Sequence, residues 1–177
     1  MAKTMAILKD GKLALTNVMV SFPNVFKPTS FEEGQTKKYS AVFMIPKDSD
    51  AIGVVQGVVD DLKKENKVTK ALPNDNIFFV DGDETDREEY AGHYIVKAKN
   101  VKRPTVVNRD KSPLTEEDGL IYGGCIVNAV LDPYYYKHAS GKQFILASLK
   151  ALQYVEEGTP FGDAPTSADV FDDLDDL

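Results

Sequence analysis

GHYIVKAKNVKRPTVVNRDK, residues 92–111, decides how this chain is read. Its first part, Gly92–Lys99, alternates with a period of two, the signature of a strand with one face packed and one face wet. Tyr94, Val96 and Ala98 take one face, and Lys97 and Lys99 take the other. A second alternating run covers Val101–Asn108 around Pro104. Across Lys97–Lys111 stand Lys97, Lys99, Lys102, Arg103, Arg109 and Lys111 against a single acid, Asp110. A strand with an apolar inside and a cationic outside is a barrel wall offered to a polyanion. A row of cations at strand pitch suits a phosphate backbone, whose charge it neutralises with counterion release. The plainer alternative is a solvated strand face whose lysines block edge pairing.

Strand signals recur on both sides of this stretch. Leu13–Phe22 reads as a strand ended by Pro23, with a Pro- and Gly-bearing loop running on through Lys38. Tyr39–Ile45 reads as a second strand, ended by Pro46. Ile77–Val80, Leu120–Leu131 (bracketed by Gly119 and Asp132-Pro133) and Lys142–Tyr154 follow the same logic. One segment departs from it. Ala51, Val54, Val55, Val58, Val59 and Leu62 recur at three and four residues, which predicts an amphipathic helix over about 49–66. Asp48 or Ser49 is placed to cap it, and Lys63, Lys64 and Lys67 lie toward its end. The fold class expected is mainly β: a small OB-like antiparallel barrel with one inserted helix, since closing the sheet removes exposed edges. The OB plan would place three strands before the helix and a strand pair after it.

Charge placement divides the chain. The net charge is −7, which by itself argues against a nucleic-acid binder. Of the 28 acids, however, Asp163, Asp169, Asp172, Asp173, Asp175 and Asp176 fall in residues 163–177, where no Lys or Arg occurs. Residues 1–162 keep 22 acids against 21 Lys and Arg, a net of −1. The expected organisation is one OB-like domain over 1–157 and a flexible acidic tail over 158–177. Within the tail, Asp169, Phe171, Asp172, Asp173, Leu174, Asp175, Asp176 and Leu177 alternate acids with large apolar residues, as a short docking peptide does. The same anions can compete for a basic groove.

Composition removes other classes. The 177 residues, 42% apolar, suffice for one domain with a core. No apolar run nears the roughly 18 residues of a membrane span, and the N-terminus lacks a secretory h-region, so a cytoplasmic protein is expected. Cys125 is the single cysteine and reads as a small buried hydrophobe; with two histidines there is no zinc-ligand set. The loop DGDETDREE, Asp81–Glu89, begins like a calcium loop, but Asp86 stands where the turn glycine belongs and Gly92 where the bidentate Glu belongs. It reads as a solvated loop, and neither metal nor cofactor is expected. No nucleophile elbow, phosphate-binding Gly loop, HxE or CxxC is present, so no enzyme is expected.

Aromatic residues beside the cations complete the candidate site, because base stacking on a flat side chain contributes roughly 1–3 kcal/mol with little sequence preference. Tyr134, Tyr135 and Tyr136, read as lying at a turn, adjoin Lys137 and His138, with Lys142 just beyond. Three consecutive tyrosines cannot all point inward from a strand; Tyr135 is the first choice for stacking. Tyr39 stands beside Lys37 and Lys38 in the same way.

In order along the chain, SFPNVFKP (Ser21–Pro28), YSAVFMIPK (Tyr39–Lys47), DGD (Asp81–Asp83), YAGHYIVKAKNVKRPTVV (Tyr90–Val107), IYGGCIVNA (Ile121–Ala129) and the closing DDLDDL resemble a family of phage-encoded single-stranded-DNA-binding proteins. That resemblance implies an OB fold and binding to displaced strands in phage replication and recombination, inside the bacterial host. It also implies a tail that contacts replication or recombination proteins. Some relatives end in Phe, whereas this chain ends in Leu177 with Phe171 inside. Single-stranded RNA is an alternative ligand, and a homo-oligomer is compatible with the sequence. Two other classes compete: a structural virion or decoration protein, and a metal-dependent nuclease.

Overall fold

The computed structural model describes residues 3–30, 34 and 36–159. The tail residues 163–177 singled out above lie outside them. In chain order the strands are β1 (Met5–Lys9), β2 (Lys12–Thr29) and β3 (Lys38–Pro46), followed by helix α1 (Ala51–Glu65). Then come β4 (Phe79–Asp81), β5 (His93–Asn100), β6 (Thr105–Val107), β7 (Ile126–Lys137) and β8 (Gln143–Glu156). Antiparallel neighbours run β5-β3-β2-β7-β8, and a parallel pairing of β5 with β8 at Lys99 and Ser148 closes the ring. The result is a closed barrel of five strands, the small OB-like architecture that the period-two runs predicted.

The barrel interior is built by alternation. Phe43, Val96, Val127, Leu131, Ile145 and Leu149 are fully or almost fully buried, each contributing roughly 1.5–3 kcal/mol of burial. Strand β2 keeps its apolar residues inside only by changing phase. Leu13 and Leu15 point in, then Val18 and Val20, and the shift falls at Asn17, whose φ is 53°. There the register against β7 slips, and the freed backbone N–H of Asn17 donates to Asn128 Oδ1 at 3.0 Å. Cys125 is buried beside this core, and burial pushes its thiol pKa up, as suits a small hydrophobe.

Helix α1 packs Ala51, Val55, Val58 and Val59 inward, and Ser49 Oγ accepts from the Ala51 N–H at 3.2 Å near its start. Its position differs from the expected plan. Three strands precede it, but β1 pairs only with β2 at the edge of the sheet, so α1 falls between the second and third barrel strands.

Three local expectations need correction. Pro23 does not end β2: a second bulge at Phe22, φ 49°, lets the strand continue to Thr29 beside β3. The apolar run Leu120–Leu131 is not one strand. Pairing begins at Ile126 and passes through Asp132-Pro133 to Lys137. Beyond Leu131 β2 no longer pairs with β7, and an edge tolerates a proline without an N–H. The tyrosines therefore lie on a strand and not at a turn; the turn is His138–Gly141, where Gly141 N–H donates to the His138 carbonyl.

Candidate nucleic-acid interface

On the outer face of β3 and β5, the side chains that do not enter the barrel line an open groove of about 1200 Å³. Register fixes its floor: Ser40 lies opposite Lys99, Val42 opposite Lys97, and Met44 opposite Ile95. Lys38 stands at the start of β3, and the bulged half of β2 adds Phe22, Asn24 and Thr29 as one wall. Asn24 Nδ2 reaches Ser40 Oγ at 3.5 Å, tying wall to floor.

The acidic loop forms the end wall. Tyr90 and Ile95 bury with Met44 and Val80 in a small second core on this outer face, and Tyr90 OH donates to Ser21 Oγ at 3.0 Å. The loop's first acids bind the protein itself. Lys47 Nζ pairs with Asp81 at 2.8 Å and with Asp83, and Asp83 also accepts the Gly92 N–H at 3.0 Å. The hydrogen bond from Lys47 holds the Asp83 carboxyl below the usual carboxylate range, and the bonds to Asp81 first and Asp83 second raise Lys47 above the usual lysine value. Gly82 is required at this latch. A Cβ there would lie 2.2 Å from the Tyr90 carbonyl oxygen and 2.5 Å from that of His93. The loop is thus packed and latched, not merely solvated as the sequence suggested, and it carries Arg87 to the groove, where the guanidinium lies 4.2 Å from the Phe22 ring centre.

The predicted cations divide into three places. Lys38, Lys97 and Lys99 line the groove. Lys97 Nζ donates to the Asn74 carbonyl at 2.7 Å, and burial pushes its pKa down against the opposing pull of Asp75. A partly desolvated ammonium of this kind gains from an added anion. Lys102 and Arg103 are exposed in the turn between β5 and β6. Arg109 and Lys111 lie past β6, which runs beside β8 from Ala151 to Gln153, and the Arg109 guanidinium stands 5.7 Å from the Tyr154 ring centre. The basic stretch therefore follows one edge of β8, but Lys99 is the last of its cations to line the groove and Val101 the last of its residues there. Lys37 is exposed beside the groove, while Tyr39 shares the inward phase of Ala41 and Phe43 and is half-buried.

On the β7–β8 hairpin the tyrosines alternate. Tyr134 and Tyr136 point outward, 41% and 46% exposed. Tyr135 packs against the core and accepts a hydrogen bond from Gln143 Nε2 at 2.8 Å. Phe144 faces Tyr136 across the ladder with ring centres 5.8 Å apart, next to exposed Lys137, His138 and Lys142. β8 meets β5 at Ser148 and Lys99; nearer the hairpin tip the chain at Ile77–Phe78 lies between the two strands, with the Phe78 N–H donating to the Ile145 carbonyl and the Lys97 N–H to the Phe78 carbonyl. The expectation of at least one outward tyrosine thus has a structural basis, with Tyr134 and Tyr136 rather than Tyr135 presenting their rings. Phe22 and Arg87 were not legible beforehand. Sequence shows an aromatic before Pro23 and a lone cation among acids, but nothing that joins them.

Comparisons with known proteins fall on this frame. The family model of the ssDNA-binding protein of Enterobacter phage Enc34 matches residues 11–177. Protein p50 of Acyrthosiphon pisum secondary endosymbiont phage 1 is 36% identical over 174 residues, covering 92% of this chain and 94% of that protein. The single-stranded DNA-binding protein of bacteriophage Enc34, solved in complex with ssDNA, superposes with a TM-score of 0.76 at 27% identity, covering 92% of this chain and 96% of that one. Gp2.5, a single-stranded DNA-binding protein of bacteriophage T7, shares the fold, with a TM-score of 0.58 at 16% identity, over 91% of this chain and 99% of that one.

Proposed function

Because the chain belongs to the phage single-stranded-DNA-binding family of Enc34, we propose that it binds single-stranded DNA without sequence preference in the groove over β3 and β5 and along the outer face of the β7–β8 hairpin. What supports this reading is the gathering of Lys38, Lys97 and Lys99 in one groove on the outer face of β3 and β5, with outward Tyr134 and Tyr136 on the hairpin of β8, the strand that meets β5 at Lys99 and Ser148. The cations neutralise phosphates, and the rings stack bases whatever their identity. The closed barrel holds both on rigid strands, so the site is pre-organised and little ordering entropy is lost on binding. Lys102, Arg103, Arg109 and Lys111 continue the positive edge and lengthen the track for the strand.

The protein acts on displaced strands in phage replication and recombination, in the cytoplasm of the bacterial host. Residues 163–177 serve it twice. Their six acids compete with DNA for the groove, and Phe171, Leu174 and Leu177 anchor a replication or recombination protein. The sharp charge division of the sequence supports this reading.

Fluorescence titration with oligo-dT tests the proposal, with duplex of the same length and single-stranded RNA as comparators. Saturable binding with no cleavage in the presence of Mg²⁺, and only modest differences among homopolymers, is expected. Failure to bind oligo-dT, or tight preference for one duplex sequence, would sink it.

A further inference from the structure

Phe22 is misplaced for a core residue. Val18 and Val20 point into the barrel, so an unbroken β2 would send Phe22 inward as well. Instead its φ of 49° turns the ring outward, leaving it 45% exposed. A bulky residue at positive φ is a genuine outlier, and strain of this kind persists where the surrounding structure holds it for a purpose. The chain thus keeps a large apolar ring wet on the wall of the groove.

Arg87 supplies a second plane. Its guanidinium lies over the ring at 4.2 Å, close enough to stack and too close to admit anything between. It is held from one side by Glu89, at 3.4 Å, with both side chains partly exposed, so it is free to shift. Its neighbours Glu84, Asp86, Glu88 and Glu89 make this end of the groove hostile to phosphate. Arg87 is therefore badly placed to grip a backbone and well placed to present a flat face.

We propose that Phe22 and Arg87 form a nucleobase clamp: an unstacked base takes the guanidinium's place on the Phe22 ring, and the guanidinium moves out to cover the base's other face. This rests on the single-strand reading of the groove and adds a stacking subsite at its acidic end. In the free protein Arg87 covers one face of a ring that stays 45% exposed. With DNA bound, a ring, a base and a guanidinium stack in sequence, an arrangement that tolerates any base and that lysine, lacking a planar head, cannot reproduce.

The test is a set of oligo-dT titrations over a range of salt with wild type, Phe22→Ala, Phe22→Leu, Arg87→Ala and Arg87→Lys, each checked for an unchanged melting temperature. Both Phe22 variants should weaken binding roughly 5- to 150-fold with no change in salt slope, Leu included, because bulk without a π face is insufficient. Arg87→Lys should lose as much affinity as Arg87→Ala although it keeps the charge. If wild type binds and the Phe22 variants bind equally well, the clamp is wrong while the groove reading stands. The clamp also fails if Arg87→Lys behaves as wild type, or if Arg87→Ala flattens the salt slope, for Arg87 would then be a phosphate contact. Failure of wild type to bind oligo-dT overturns both readings.

Discussion

Replacing Lys38, Lys97 and Lys99 together by Gln removes the three lysines that line the groove. For a single strand, log K changes by about −0.7 per decade of salt for each phosphate neutralised. If each lysine meets one phosphate, the triple variant should lose about 2 from the salt slope. The same relation makes each contact worth about 5-fold at roughly 0.1 M salt relative to 1 M, so the variant should bind on the order of 100-fold more weakly there and nearly as well as wild type near 1 M. Stability should hold. Burial already disfavours the charged form of Lys97 in the folded protein, so removing that charge relieves a cost even though the Asn74 carbonyl loses its donor. The assay is fluorescence titration with oligo-dT at five or so salt concentrations, together with thermal melts. An unaltered slope would refute the assignment of these lysines to phosphates, whatever happened to the affinity.

Tyr134→Ala and Tyr136→Ala should each cost roughly 1–3 kcal/mol of binding with the salt slope intact, whereas Tyr135→Ala should chiefly lower the melting temperature, because its ring packs on the core. Deleting 163–177 should tighten single-strand binding, most clearly at low salt, and abolish pull-down of the phage partner; weaker DNA binding in a titration of the truncated protein would contradict the competing role of the tail. Gly82→Ala should destabilise by roughly 1–3 kcal/mol, lowering Tm by about 2–10 °C, because its Cβ would collide with two backbone carbonyls. The Asp83 carboxyl is held below its ordinary pKa by Lys47, so its contribution to stability is in place above about pH 4 and is lost as pH falls through the lower folded value. Melts of Asp83→Asn should accordingly lack that part of the acid dependence.

The barrel was legible because period-two runs such as Gly92–Lys99 state which face is packed, and α1 because valines at three- and four-residue spacing outweigh their modest helix propensity. What escaped was set by backbone conformations that side-chain patterns do not record. β1 and its hairpin to β2 turn on Asp10-Gly11, with φ of 54° and 77°, a dipeptide whose hairpin meaning could have been read. The bulges at Asn17 and Phe22 carry no such signature, so Pro23 looked like a stop when it lay within a bent strand. The lysines of β5 were identified from alternation alone. The Phe22–Arg87 pair depends on a loop folding back across the outer face, a tertiary event held by Tyr90, Gly82 and Lys47.

The proposed site is a surface, with the single strand lying over β3, β5 and the outer face of the β7–β8 hairpin. Amide chemical-shift mapping of the isotope-labelled protein titrated with oligo-dT tests it most directly. The largest shifts should fall in Lys38–Val42, Ile95–Asn100 and Tyr134–Phe144, with α1 unmoved. Shifts concentrated on α1 or on β1, with the groove strands silent, would contradict it.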